Sequence, residues 1–129
     1  MSVQTMTELG FRPVTAGDMV FLAAVYASTR EQELAQVDWA QPQKDAFLAM
    51  QFSAQHTHYQ THYTDTDFLV VLHEGKACGR LYLARWAGEL RVVELTILPA
   101  YRNLGIGTRI LKDVLAQAAA AGKPVRIHV

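Results

Sequence analysis

The chain has 129 residues, half of them hydrophobic, which predicts one globular domain spanning residues 1–129. Its 12 basic and 12 acidic residues give zero formal net charge, which argues against a nucleic-acid binder, and no apolar run approaches the ~20 residues of a membrane span. The single Cys78 excludes an internal disulfide framework, and the N-terminus lacks a signal peptide, so we expect a cytoplasmic protein.

The first half of the chain predicts a strand followed by two helices. Residues 9–14 are short and partly alternating, as in a strand. Thr15 and Asp18 then have the spacing of a capping box, which begins the first helix. The mostly polar residues 31–41 separate this helix from a second one, which we expect from Pro42 to about Thr61 because proline suits the first position of a helix.

The second half predicts three strands, a long helix and a last strand. Phe68 to Leu72 is continuously apolar, which predicts a strand buried on both faces. A turn centred on Gly75 leads into the next strand, Ala77 to Trp86. The remaining elements are a third strand, a helix and a last strand, at residues 90–98, 106–121 and 124–129. The order is β-α-α-β-β-β-α-β, an α/β class.

A loop with two glycines joins the third strand of this meander to the long helix. Pro99 ends the strand because proline cannot donate to a ladder, and Asn103 to Thr108 lead directly into the helix. The first turn of a helix carries unpaired N–H groups and the positive end of the dipole. Gly105 and Gly107 allow the backbone to approach a bulky anion. The loop is therefore predicted to be a pyrophosphate cradle.

Two common nucleotide-binding motifs do not fit this loop. A Walker loop needs lysine and then serine or threonine after its glycine, but Thr108 and Arg109 follow Gly107. A dinucleotide fingerprint needs a third glycine, and Ile110 stands in its place. What remains is Arg102-x-x-Gly105-x-Gly107, preceded by Leu-Thr-Ile-Leu-Pro and followed by an amphipathic helix. This sequence resembles the acetyl-CoA motif of the GNAT N-acetyltransferases.

The resemblance implies a fold and an activity. The fold would be a mixed, mostly antiparallel central sheet flanked by helices. The activity would be transfer of an acetyl group from acetyl-CoA, as co-substrate, to a primary amine by direct attack. The alternative is a GNAT-like module that binds acyl-CoA without turnover. The expected partners are a small-molecule or peptide amine acceptor and a second copy in a homodimer, with no nucleic acid and no membrane.

The resemblance also implies more chain at the C-terminus. Family members continue after the fifth strand with a further helix and two strands. We therefore expect the functional protein to continue beyond Val129. The tyrosine that commonly protonates the leaving thiolate in this family would lie in that segment.

By the same resemblance, the cofactor is assigned to the end of the third meander strand and the loop that follows. The cofactor-binding residues expected are Leu95, Thr96, Ile97, Arg102, Asn103, Leu104, Gly105, Ile106, Gly107 and Thr108. The strand residues would pair with the pantetheine arm, and the N–H of Ile97 or Leu98 would face the thioester oxygen. Arg102 and Arg109 are close enough in sequence to bind phosphates, although Arg109 could also lie on a solvated helix face.

Glu94 is the one carboxylate in an otherwise apolar strand segment. Strand alternation would put its side chain on the same face as Val92 and Thr96. A partly buried carboxylate there is a candidate catalytic base that takes the ammonium proton, directly or through water. The alternative is a structural carboxylate paired with Arg80 or Arg91.

The residues between the first two helices are candidates for acceptor binding, because family members shape the acceptor pocket there. Ser28 lies in this segment, Arg30 could hold an acceptor carboxylate, and Glu31 could hold an amine. The alternative is a capped and solvated helix end. No metal is expected, since the histidines of the second helix do not share one face and no cysteine or carboxylate completes a ligand set. We expect Cys78 to pack in its strand.

Overall fold

The computed structural model describes residues 8–128 and has the mixed α/β fold that the sequence predicts. The described chain forms two compact units. One unit combines residues 8–14 with residues 65–128, and the other is Thr15–Thr64. Among these residues, no helix has both the length and the apolar character that a membrane-spanning helix requires.

The first unit is built on a five-stranded, mostly antiparallel sheet in which the strands follow one another in chain order. The strands are β1 (Leu9–Pro13), β2 (Thr66–His73), β3 (Lys76–Trp86), β4 (Glu89–Ile97) and β5 (Val125–Ile127). The first four strands pair antiparallel, and β5 pairs parallel to β4. The turn between β2 and β3 has positive φ at Glu74 (52°) and Gly75 (82°), the backbone that a two-residue hairpin requires.

The helices are α1 (Met19–Ser28), α2 (Glu31–Ala35) and α3 (Gln41–His62) in the second unit, and α4 (Ile106–Ala121) in the first. Helix α2 is an addition to the predicted order. Of its five residues only Leu34 is buried, so the segment shows no apolar periodicity. The predicted capping box is present at the 3-10 turn that precedes α1, where Thr15 donates its backbone N–H to the Asp18 carboxylate at 2.7 Å.

The core of the first unit lies between the sheet and α4. Ile106, Ile110, Val114 and Ala118 form the buried face of α4, at the helical spacing that the sequence shows. Strands β2, β3 and β4 supply the other buried members of this cluster: Val71, Cys78, Leu81, Leu83, Leu90 and Val92. In β2, however, only Val70 and Val71 are fully buried, so the strand is less enclosed than its continuous apolar run predicts.

A β-bulge interrupts β4 at Val93. Tyr82 of β3 is opposite Glu94, but the next residue, Leu83, is opposite Val92, so Val93 is an extra residue in the ladder. The prediction that Glu94 shares a face with Val92 is therefore wrong, because an inserted residue reverses the alternation beyond it. Val92 belongs to the core under α4, and after the bulge Leu95 packs there instead.

Gly79 lies where β3 and β4 approach closely, and a Cβ at this position would overlap the carbonyl oxygen of Thr96. We expect Gly79→Ala to lower the free energy of unfolding by about 2–3 kcal/mol, because the two strands must separate to admit the methyl group. Denaturant unfolding measures this. The matched control is Gly10→Ala in β1, where the nearest atom would lie 3.8 Å away. Equal stability of the two variants would contradict the close approach.

Candidate functional site

The loop between β4 and α4 opens the helix N-terminus towards solvent. After a single 3-10 turn at Pro99–Tyr101, the backbone has positive φ at Asn103 (65°) and Gly105 (78°). The backbone N–H of Arg109 donates the first helical hydrogen bond, to the carbonyl of Gly105 at 3.0 Å. The N–H groups of the three preceding residues therefore point out of the helix end, as in an anion site.

A cavity of about 310 Å³ lies at this helix end. Its lining residues are Ile97, Tyr101, Arg102, Asn103, Gly105, Ile106, Gly107 and Thr108. A Cβ built on Gly107 would meet no atom within 4 Å, so the space beside this residue is open and a side chain would project into it. The loop thus offers backbone donors and the positive end of a helix dipole to an anion in an unobstructed cavity.

Arg102 is anchored at one edge of this cavity. Its Nε–H donates to the carbonyl oxygen of Ile97 at 2.9 Å. A guanidinium has five N–H donors in a planar fork, so this bond fixes the side chain and leaves donors for an oxyanion. Arg109, one turn into α4, has an exposed side chain.

The outer edge of β4 presents backbone groups beyond the bulge. The N–H of Leu98 donates to the carbonyl of Cys78 at 2.8 Å. Because hydrogen-bonded pairs alternate in an antiparallel ladder, the backbone of Thr96 also faces β3, whereas the backbones of Leu95 and Ile97 face away from it. The N–H of Leu98 is therefore engaged in the sheet, and the expectation that it faces a ligand is wrong.

A cleft of about 290 Å³ opens where β4 and β5 separate. The printed pairing of the two strands ends at Val92 with Ile127, and the N–H of His128 then donates to the carbonyl of Val92 at 2.8 Å. The cleft is lined by Val92, Val93, Glu94, Leu95, Leu111, Ile127 and His128. Two cavities thus follow one another along β4, one at Ile97 and one at residues 92–95.

Glu94 lies in this cleft and is ion-paired. Its Oε1 accepts a hydrogen bond from Nη2 of Arg80 at 3.2 Å, and the Glu94 side chain is 22% exposed against 2% for that of Arg80. The guanidinium carbon of Arg80 also lies 5.2 Å from the centroid of the Tyr82 ring, within cation–π range. Nε of Arg80 is buried and has no hydrogen-bond partner in the described structure. The ion pair therefore fixes the position of the Glu94 carboxylate beside a buried guanidinium.

Two neighbouring groups are protonated at neutral pH. Burial raises the pKa of the Tyr82 hydroxyl, and this effect outweighs the opposite influence of Arg80. Burial likewise raises the pKa of the Cys78 thiol, which is fully enclosed in the core under α4. Tyr82 is therefore no base at neutral pH, and Cys78 is no nucleophile, since the thiolate is the reactive form.

The three residues predicted for an acceptor lie in the second unit, at the end of α1 and the start of α2. The hydroxyl of Ser28 donates to the carbonyl of Val25 at 2.7 Å. Arg30 donates to Oε1 of Gln51 at 2.7 Å and to the hydroxyl of Tyr26 at 3.0 Å. Glu31 instead lines a cavity of about 390 Å³ between α1, α2 and α3. Of the three, Glu31 has the side chain placed at an open cavity.

His128 and Arg80 are site residues that the sequence did not single out. His128 directly follows the three-residue strand β5, which is too short for alternation to indicate the direction of its side chain. Arg80 could be named only as one of two partners for Glu94. In residues 8–128, no three histidine, cysteine, aspartate or glutamate side chains are grouped as metal ligands.

Comparison with family models and comparison with solved structures point to the same family. The model of the acetyltransferase (GNAT) family matches residues 26–129. None of the curated proteins matches this chain in sequence.

Among solved structures, PaiA N-acetyltransferase from Thermoplasma acidophilum, in complex with coenzyme A, is similar with a TM-score of 0.59 and 17% identity, over 89% of this chain and 74% of its own. A GNAT family acetyltransferase from Staphylococcus aureus has a TM-score of 0.56 and 15% identity, over 96% of this chain and 87% of its own. A GNAT family acetyltransferase from Elizabethkingia anophelis with acetyl-CoA bound has a TM-score of 0.51 and 18% identity, over 89% of this chain and 60% of its own. At these identities the likeness shows the fold.

Proposed function

Since this chain belongs to the acetyltransferase (GNAT) family, we propose that it transfers the acetyl group of acetyl-CoA to a primary amine. The observation that carries the proposal is the succession of two cavities along β4. The first lies at the N-terminus of α4 and suits a pyrophosphate. The second lies between β4 and β5 and contains a carboxylate, Glu94.

The cradle, residues 102–108, holds the pyrophosphate through backbone N–H groups, and Arg102 contributes charge-assisted hydrogen bonds. Arg109 is a further candidate for a phosphate contact. The pantetheine arm then extends along the outer edge of β4, where an extended amide chain adds to the sheet as a strand does. Leu95 and Ile97 supply the backbone groups for this pairing, and Thr96 lies between them with its backbone turned to β3.

The thioester then lies in the cleft between β4 and β5. The cleft reaches Leu95 but not Ile97, so the N–H of Leu95 is the donor placed for the thioester oxygen. Such a donor stabilises the oxyanion that forms as the amine attacks, and one donor of this kind is typically worth ~10²–10³ in rate.

Glu94 accepts the proton of the incoming ammonium, directly or through one water. Arg80 fixes the direction of this carboxylate through their ion pair. The amine then attacks the thioester directly. An acyl-enzyme on the single cysteine is disfavoured, because the Cys78 thiol is enclosed and its pKa is raised by burial.

The acceptor is a small-molecule or peptide amine, and the compartment that we propose is the cytoplasm. Glu31 is the candidate for acceptor recognition within the second unit, since it lines an open cavity there. Ser28 and Arg30 would support this region through their hydrogen bonds to the α1 and α3 segments. A homodimer is proposed as the assembly.

The test is release of the free thiol. Purified protein is incubated with acetyl-CoA and, separately, a diamine, an amino acid, an aminoglycoside and a peptide with a free N-terminus. We expect CoA to appear with at least one amine, in an amount equal to the acetylated product found by mass spectrometry. Tight binding of acetyl-CoA without release would favour the acyl-CoA-binding module, and no binding would reject the cradle as well.

A further inference from the structure

The cleft between β4 and β5 has two titratable side chains among its lining residues. Five of the seven lining residues are apolar, and the other two are Glu94 and His128. Glu94 is supplied by β4, and His128 follows β5 directly. A carboxylate and an imidazole are thus brought to one open, otherwise apolar cleft, with Glu94 partly buried and His128 exposed.

The position of His128 is set by the backbone. Its N–H bond to the carbonyl of Val92, at 2.8 Å, continues the parallel pairing one residue past Ile127. Val125 packs against the core under α4. Alternation along an extended segment therefore directs the His128 side chain away from that core. After the Val93 bulge, Glu94 lies on this same side, so the two groups belong to one face of the sheet.

Acetyl transfer would occur on this same face of the sheet. The inference therefore rests on the proposed function. The cradle begins beside Ile97, and the cleft spans residues 92–95. From Ile97 to Val93 an extended strand covers ~13 Å at ~3.3 Å per residue. An extended arm that starts in the cradle and follows β4 delivers its thioester into the cleft, beside Glu94 and His128.

We propose that His128 is a second catalytic residue, which moves a proton from the attacking nitrogen to the leaving sulfur. An ammonium acceptor loses two protons on its way to an amide, and one carboxylate takes the first of them. Imidazole is the side chain that both accepts and returns a proton near neutral pH. Of the described residues that line this cleft, His128 is the titratable one besides Glu94, and it takes the second proton.

Glu94 takes one proton from the ammonium, and the free amine forms a bond to the thioester carbon as the carbonyl electron pair moves to oxygen. Neutral His128 then takes the second proton from nitrogen. The oxygen returns its electron pair to re-form the C=O bond as the C–S bond breaks with its electron pair on sulfur, and the imidazolium of His128 protonates that sulfur. The products are the amide and CoA thiol, and the proton held by Glu94 passes to water.

The charged groups around His128 are compatible with this role. Across the cleft, β4 presents Glu94, and α4 presents the apolar Leu111. On β5 the preceding charged residue is Arg126, whose Nε lies 3.2 Å from the Glu89 carboxylate, and Arg91 of β4 binds the same carboxylate at 2.6 Å. These two cations are thus paired with Glu89, outside the cleft, and the third cation, the buried Arg80, is paired with Glu94.

The experiment compares His128→Gln with the unaltered protein, using acetyl-CoA and the amine of the panel above that releases CoA fastest. We expect kcat to fall roughly 10²-fold, with the KM for acetyl-CoA unchanged. The fall in kcat/KM on the acid side of the pH profile should disappear. In His128→Ala, added free imidazole should restore part of kcat. His62→Gln is the matched control, since His62 is exposed and lines neither cavity.

The outcomes separate this inference from the proposed function. If the unaltered protein releases no CoA with any amine, the proposed function is wrong and this inference falls with it. If His128→Gln releases CoA as fast as the unaltered protein with the same pH profile, the inference alone is wrong. A lower rate in which the acid-side fall persists and imidazole restores nothing would also overturn it, because that result describes packing and not proton transfer.

Discussion

Gly107→Val is expected to lower the affinity for acetyl-CoA by at least ~10²-fold while the protein remains folded. A Cβ at Gly107 meets no protein atom within 4 Å, so the valine side chain occupies the open cavity and not the core. It would displace the pyrophosphate from the backbone N–H groups at the start of α4. Each hydrogen bond lost to a charged group costs about 1.5–3 kcal/mol, and two such bonds account for this change. Calorimetric titration with acetyl-CoA measures it.

The matched control is Gly88→Val, in the turn between β3 and β4. A Cβ there also meets nothing within 4 Å, and Gly88 does not line the cradle cavity. We expect this variant to bind acetyl-CoA like the unaltered protein. Unchanged affinity in a folded Gly107→Val protein would reject the assignment of the cradle.

Glu94→Gln is expected to lower kcat ~10²–10⁴-fold, because glutamine keeps the shape of the side chain but cannot accept the ammonium proton. The affinity for acetyl-CoA should be nearly unchanged, since the cradle lies further along β4. The melting temperature should fall, because the buried Arg80 loses its ion pair. Steady-state kinetics, calorimetry and thermal unfolding of the same preparation separate the three effects.

Two variants make this result interpretable. Glu89→Gln removes another ion-paired carboxylate from the same strand, one that binds Arg91 and Arg126 outside the cleft, and it should retain kcat. Glu94→Asp keeps the charge beside Arg80 but withdraws it by one methylene, so it should be more stable than Glu94→Gln and still slow. If Glu94→Gln turns over normally at every pH, Glu94 has a structural role only.

The fold could be predicted because its main signals are local. The apolar face of α4 repeats every three to four residues, and Pro99 and Gly122 mark the ends of β4 and α4. The order of the elements followed from these signals, and the family resemblance then implied how they assemble into a sheet flanked by helices. Helix α2 could not be predicted, because a five-residue helix that buries only Leu34 leaves no periodic pattern.

The face of Glu94 could not be predicted either. Alternation assumes an uninterrupted strand, and the bulge at Val93 depends on pairing with β3, which is encoded elsewhere in the chain. Without that extra residue, the alternation that places Val92 in the core would place Glu94 there too, among aliphatic side chains. The sequence thus named the carboxylate that lines this cleft and its partner Arg80, but put Glu94 on the wrong face of the sheet.

The cradle was predicted from contiguous residues, and the structure places all of them except the exposed Leu104 around one cavity. The cleft was harder to anticipate, since its walls come from β4, α4 and the segment after β5. His128 is about 30 residues from β4 in sequence, and only the parallel pairing of β5 with β4 brings the two together. Contacts of this kind are set by topology and leave no short motif.

The pairing of Arg80 with Glu94 also constrains how this protein can change over generations. Loss of Glu94 leaves a buried guanidinium without its counter-charge, and loss of Arg80 leaves a lone anion beside Tyr82. Either substitution alone is harmful, and the second partly relieves the first, which is epistasis between residues 14 positions apart. A lineage that adopted another base would have to replace both residues almost together. Under the proposed function, substitutions that adapt the protein to a new amine acceptor are therefore less costly at residues 28–31, the candidate acceptor segment, than at this pair.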